Sequence, residues 1–332
     1  MNSYNLKTVI IIIFTSILFS QCTSKENVED KIIIGIVSDV HADMLPDGAE
    51  RMKKFISEAE NNKADMIVQL GDFCRPNDNE KFMLDLWNTF PGDKYHVLGN
   101  HDMDFNTKDE VIKFWDIPSN YFSFDKGEFH FIVLDANYLY QEGKYVDYRN
   151  ANFYVKNEQR AYINPEQIVW LKNDLRQTDK RTIIFSHQSL INILWGIKNR
   201  IKIQEILENA NKQAGYKKVI ACFNGHDHVD FHREINGIHY FEINGLGYQW
   251  MGEGYADSTC FDQEQLSNYP HLDKIAIYKD PLYTFATISN NKIIVKGIKS
   301  EWVCKSPSEK GIPEMVYGCK YTPVISDHEI KL

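Results

Sequence analysis

Tyr95-His96-Val97-Leu98-Gly99-Asn100-His101-Asp102 reads as an apolar strand that stops on an amide, an imidazole and a carboxylate. Four further blocks repeat the pattern, each closing a predicted strand. Ser38-Asp39-Val40-His41 follows the β-branched run 32–37, and Gly71-Asp72 follows 66–70. Ser186-His187 follows 182–185, and Gly225-His226-Asp227-His228 follows 218–223. Taken singly, each block has an ordinary reading: Asp-x-His is usually a solvated turn and Gly-Asp a common turn pair. Five in one chain, all at strand ends, describe a site, because strand ends supply fixed positions and the loops beyond them supply chemistry.

The elements between the blocks read as alternating strands and helices. Asp47 with Glu50 predicts a capping box for a helix whose Ala49, Met52, Ile56 and Ala59 share a face. A helix over 80–89 and another capped by Thr107 and Glu110 give three βα units, hence mainly parallel strands. Beyond residue 120 the pattern shifts to hairpins. Runs 121–124 and 129–135 flank Asp125-Lys126-Gly127-Glu128, runs 229–234 and 238–243 flank Asn236-Gly237, and runs 282–288 and 292–298 flank Asn290-Asn291. This half is therefore expected to be antiparallel. Asn164, Pro165 and Gln167 predict a capped helix start. Residues 136–163 form no clear element but hold seven aromatic residues, among them Tyr148, Phe153 and Tyr154, as a lid over a site does. Residues after Ser300 read as irregular surface covering.

At 43% hydrophobic and 13% aromatic the composition is that of a globular protein. A net charge of −9 with no basic block excludes a general nucleic-acid surface. The apolar run 9–19 follows Lys7 and is too short for a bilayer core, which needs about 20 residues. It reads as a signal peptide. Leu18-Phe19-Ser20-Gln21-Cys22 resembles a bacterial lipoprotein cleavage box, which would make Cys22 a lipidated membrane anchor; ordinary cleavage or an uncleaved anchor stays open. The expected organisation is signal peptide 1–21, tether 22–30, one domain over 31–299 and a C-terminal extension 300–332, in an exported, membrane-anchored envelope protein. No cysteine pair has zinc-site spacing; Cys304 and Cys319 could be bridged in an oxidising compartment, two free thiols being the alternative.

Taken in order, the five blocks resemble the calcineurin-like metallophosphoesterase family over roughly residues 31–298. The resemblance implies an α/β fold, a four-layer α/β/β/α sandwich of two mixed sheets flanked by helices. It further implies two divalent metal ions, Asp39, His41, Asp72 and His228 holding one, Asp72, Asn100, His187 and His226 the other, with Asp72 bridging. This mixed N/O set without thiolates suits Mn, Fe or Zn. The implied activity is hydrolysis of a phosphomonoester, phosphodiester or pyrophosphate by direct attack of a metal-bridging hydroxide. His101, outside the ligand set, is the general-acid candidate, with Asp102 expected to fix its tautomer. The Phe73-Cys74-Arg75 that follows Asp72, and the retained His41, disfavour the family's purple, iron-containing subgroup. Arg75 and Arg149 could touch a substrate phosphate or form surface ion pairs. Tyr248-Gln249-Trp250-Met251 could wall the pocket or fill the core. The other six histidines (His96, His130, His232, His239, His271 and His328) are read as structural. Rival readings are a catalytically inactive surface binding protein of the same fold and a sugar-processing partner using the aromatic loop; oligomeric state is open.

Overall fold

Ile32, Ile34 and Ile36 alternate with residues of the opposite face along the first strand and pack, fully or nearly buried, with Phe131, Phe185, Phe223 and Phe241 in one cluster. That cluster is the filling between two sheets. The structure, a computed structural model, describes residues 31–192, 195–313, 315–316 and 318–332, so the expected signal peptide and tether lie outside the described residues. Strands β1 (Lys31–Val37), β2 (Met66–Gln69) and β3 (Asp93–His96) are separated by helices α1 (Gly48–Asn61) and α2 (Lys81–Trp87) and run parallel. Helix α3 (Lys108–Trp115) precedes the hairpin β4 (Phe122–Lys126) and β5 (Phe129–Val133). A second hairpin, β6 (Tyr138–Gln141) with β7 (Lys144–Asp147), occupies the aromatic stretch for which no element is expected. Helix α4 (Pro165–Gln177), β8 (Arg181–Phe185), α5 (Arg200–Ala214), β9 (Val219–Asn224), β10 (Phe231–Ile235) and β11 (Ile238–Glu242) follow. Then come β12 (Tyr248–Trp250), α6 (Gln263–Asn268), β13 (Ile275–Ile277), β14 (Thr284–Ser289), β15 (Lys292–Lys296) and β16 (Ile298–Lys299). The chain closes with β17 (Met315–Val316), β18 (Cys319–Lys320), β19 (Val324–Ile325) and β20 (His328–Lys331).

One six-stranded sheet has the order β20-β15-β14-β1-β2-β3, the other β10-β11-β9-β8-β5-β4. The first sheet's outer face carries Ile67 and Phe285 against Met52 and Phe55 of α1 and Trp87 of α2. Ile184, Cys222 and Tyr240 of the second sheet pack on Leu171 of α4 and Leu207 of α5. The layers are α/β/β/α, as the resemblance implies.

Several expectations need correction. The later half is not wholly antiparallel: β5, β8, β9 and β11 pair in parallel, because α4 and α5 provide crossovers that the hairpin signals hide. The residues after Ser300 are not only covering, since β20 is an edge strand paired antiparallel with β15. The bridged cysteines are Cys260 and Cys304, with Cα atoms 6.3 Å apart, and Cys319 is a half-buried thiol. The loop bearing Cys260 folds back on residue 304, a long-range approach that spacing along the chain does not reveal. At the helix starts, Thr107 and Glu110 form the expected capping box, whereas the Asp47 carboxylate accepts from Arg51 Nε at 2.8 Å and caps nothing. Asn164 caps α4, but Gln167 bonds the Asp135 backbone instead of closing the box.

Candidate metal centre

Parallel pairing brings the carboxyl ends of β1, β2 and β3 to one edge, and β8 with β9 deliver theirs to the same place. Backbone bonds stitch the loops together: Asp39 N–H donates to the Gly71 carbonyl, His41 to that of Asp72, and Gly225 to that of His187. The chain turns so sharply there that Asp39, His41, Asp72, His226 and His228 all adopt positive φ, between 44° and 73°. Such backbone is uncommon for residues other than glycine and gathers at functional sites. Close approach explains two glycines. A Cβ on Gly99 would collide with the Asp72 backbone, and one on Gly225 with the Ser38 hydroxyl.

Six of the seven candidate ligands fall into two groups, and Asn100 lines the same cavity. Asp39, His41 and His228 present ligand atoms within 4.8 Å of one another, as do Asp72, His187 and His226. His187 Nε2 lies 3.1 Å and His41 Nε2 3.6 Å from the same Asp72 oxygen, Oδ2, so this carboxylate faces both groups. His228 Nε2 lies 3.4 Å from Asp39 Oδ1. On their far sides His187 Nδ1 donates to the Leu70 carbonyl and His228 Nδ1 to that of Tyr248, both at 2.8 Å, which turns each Nε2 toward the carboxylates; His187 Nε2 also lies 3.1 Å from His226 Nδ1. Asp39 Oδ1 and Asn100 Oδ1 are buried without a hydrogen-bond partner. Orphaned buried oxygens and imidazole nitrogens gathered in two groups fit a pair of cations.

The electrostatics agree. Burial raises the Asp72 carboxyl, but His187 and His101 more than offset this and hold it well below the carboxylate range. Burial would depress His187, yet Asp72 and Asp39 push it up to about 10. At His41 and His226 the same carboxylates are outweighed: burial, helped by neighbouring imidazoles, lowers them to about 4 and about 3. The buried carboxylates therefore call for positive charge beside them.

Residues 32–230 match the family model described as calcineurin-like phosphoesterase. The chain belongs to that family. It is thus a metal-dependent phosphoric ester hydrolase, and its cofactors are two divalent metal ions. A rice (Oryza sativa subsp. japonica) relative named manganese-dependent ADP-ribose/CDP-alcohol diphosphatase is 24% identical over 268 residues, 62% of this chain and 80% of that protein. Among solved structures, a dimetal phosphatase from Danio rerio superposes with a TM-score of 0.58 at 14% identity, covering 83% of this chain and 99% of that one. GAP50, the anchor in the inner membrane complex of Plasmodium, gives 0.52 at 16% identity over 91% and 89%. These two likenesses are of fold.

Within this phosphoesterase site, His101 sits where expected and Asp102 does not act as expected. The Asp102 carboxylate is buried and accepts from the backbone N–H groups of Gly99, Asp72 and Phe73 at 2.7, 3.1 and 2.7 Å, tying two ligand loops together. His101 Nδ1 instead meets Asp104, at 3.0 Å from Oδ2. His101–Met103 is a 3₁₀ turn, in which residues i and i+3 share a side, so the next residue in sequence points away. Burial works against the His101 imidazolium, while Asp72 and Asp104 raise it to about 9. Arg75 lies in the pocket wall, paired with Asp43, Glu80 and Asp104; Arg149 is exposed and outside the pocket. Tyr248, Gln249, Trp250 and Met251 all line the cavity of about 1200 Å³, as do Tyr148, Phe153 and Tyr154 of the aromatic stretch. His271 joins them, although sequence reading leaves it as structural.

Proposed function

We propose that Asp39, His41, Asp72 and His228 hold one ion and Asp72, Asn100, His187 and His226 the other, in an enzyme that hydrolyses a phosphomonoester, phosphodiester or pyrophosphate directly. The observation that carries this reading is the single Asp72 oxygen facing imidazoles of both groups. When bound, two such ions polarise phosphoryl oxygens and lower the pKa of water. The chain's own groups do the rest. Asp72 Oδ1 accepts the His101 backbone N–H at 2.7 Å, which fixes the imidazole beside the site, and Asp104 orients its ring so that Nε2 can hand a proton to the leaving oxygen. No Ser, Thr or Cys nucleophile is needed, so no phospho-enzyme is expected. A pure binding protein would have no use for that proton donor. The rice relative, named a manganese-dependent diphosphatase, supports manganese as the working metal.

Asp72→Ala is expected to lose both ions. Metal analysis of the purified variant decides it, and two ions at wild-type occupancy would refute the bridging role. We further propose export with lipidation at Cys22, supported by the apolar run 9–19 and by the Cys260–Cys304 bridge, which suits an oxidising compartment. Cys22→Ser should abolish lipid labelling; labelling that persists would exclude the anchor.

A further inference from the structure

The cavity extends well past the candidate ligands, and its remaining wall is uneven in charge. On the side of His101 the first rings met are Phe153, edge-on at 5.6 Å, and Tyr154 at 6.4 Å. Arg160 comes next: its Nη1 lies 3.5 Å from the Phe153 carbonyl and its guanidinium stands 5.5 Å from the centre of the Trp195 ring. Arg75 and Arg160 both line the cavity, but they are not alike. Arg75 is spread over three carboxylates, whereas Arg160 forms no ion pair among the described residues. Lys198 is close in the fold, its backbone N–H donating to the Ala161 carbonyl at 2.8 Å, and its ammonium feels the Arg160 charge. Burial, then Arg160 and Arg200, hold the Lys198 ammonium below the usual lysine value and outweigh Asp227 and Glu158. In a chain of net charge −9, an arginine on the cavity wall that forms no ion pair among the described residues offers its charge to an anion entering the cavity. Tyr154 and Trp195, 65% and 38% exposed, offer ring faces on the same wall.

We propose that Arg160 holds a second anionic group of the substrate on the leaving-group side of the reacting phosphorus, with Tyr154 and Trp195 against the body that carries it. The substrate class is then a phosphoanhydride or diester whose departing half bears its own phosphate and a flat or apolar body, as in a nucleoside diphosphate derivative. This rests on the phosphoesterase reading and adds which substrates it selects. Water forms the new P–O bond; the old one breaks with its electron pair on the departing oxygen, which takes up a proton. Arg160 faces the charge that grows on the departing half.

The test uses the full chain loaded with manganese, with ADP-ribose and 4-nitrophenyl phosphate as substrates. The ratio of their kcat/KM values should fall tenfold or more in Arg160→Ala, chiefly through KM for ADP-ribose, and by an intermediate amount in Arg160→Lys, which keeps the charge. An unchanged ratio overturns the subsite, and so does a wild type that hydrolyses 4-nitrophenyl phosphate but neither cleaves nor binds ADP-ribose. A wild type inactive on both compounds counts against the phosphoesterase reading instead. In that case calorimetric binding of ADP-ribose still decides: about tenfold weaker binding in Arg160→Ala supports the subsite and equal binding overturns it.

Discussion

His101 and its neighbours separate two tasks that adjacent carboxylates could share. Asp104 touches the imidazole and Asp102 touches backbone, so their substitutions should differ in kind. A positioned acid contributes roughly 10² to 10⁴ in rate when the leaving oxygen is a poor one. His101→Gln should therefore slow alkyl esters strongly and nitrophenyl esters much less, with metal content kept. Asp104→Asn should show the same selectivity more weakly. Asp102→Asn should instead cost about 1–3 kcal/mol of stability, since at least one of three buried N–H groups loses its acceptor. Rate ratios on alkyl and aryl substrates, with metal analysis and denaturation, separate the three; equal losses on both substrates for His101→Gln would remove it as the acid. The candidate ligands are legible in sequence because their five blocks follow strands and resemble the family's in order. Asp104 is not, because its partnership depends on the tight turn His101–Met103 and not on adjacency.

Strands and helices are legible where the signal is local. Asn236-Gly237 sits in the turn of β10 and β11, and Thr107 with Glu110 opens α3. Asp47 offers the same local signal and fails, since Arg51, one turn on, takes its carboxylate. Long-range ties leave no such mark. His130 on β5 is one: its Nδ1 lies 2.7 Å from Asp125 of β4 and its Nε2 2.8 Å from Asp174 of α4, while Lys180 also pairs with Asp125. Burial opposes the imidazolium, but the two carboxylates raise it above its ordinary value. A group raised in the folded state stabilises fully below its unfolded pKa, about 6.5, and loses that contribution as pH rises through the folded value. His130→Gln should therefore cost roughly 1–2 kcal/mol at pH 6 and less at pH 9. Equal shifts of the denaturation midpoint at both pH values would show that the charge on His130 does not hold β5 to α4.

Across the whole molecule, the Cys260–Cys304 bridge closes 44 residues of separation and clamps the stretch that carries Trp250's neighbour His271 to the segment after Ser300. A bridge of this span stabilises by about 2–4 kcal/mol. Cys260→Ser should lose that amount in equilibrium denaturation, and a reducing agent should destabilise the wild type but not the variant. A variant as stable as the oxidised wild type would show that the wall does not depend on the bridge. The left-handed backbone at Asp39, His41, Asp72, His226 and His228 acts in the opposite direction. Each such residue costs on the order of 1–3 kcal/mol, and the surrounding sheets carry that cost before any ion arrives. The centre is therefore preorganised, with stability given up in exchange for geometry. Sequence changes chosen only to make the protein tougher would gravitate to these five positions, where relief of strain and loss of the enzyme are one event.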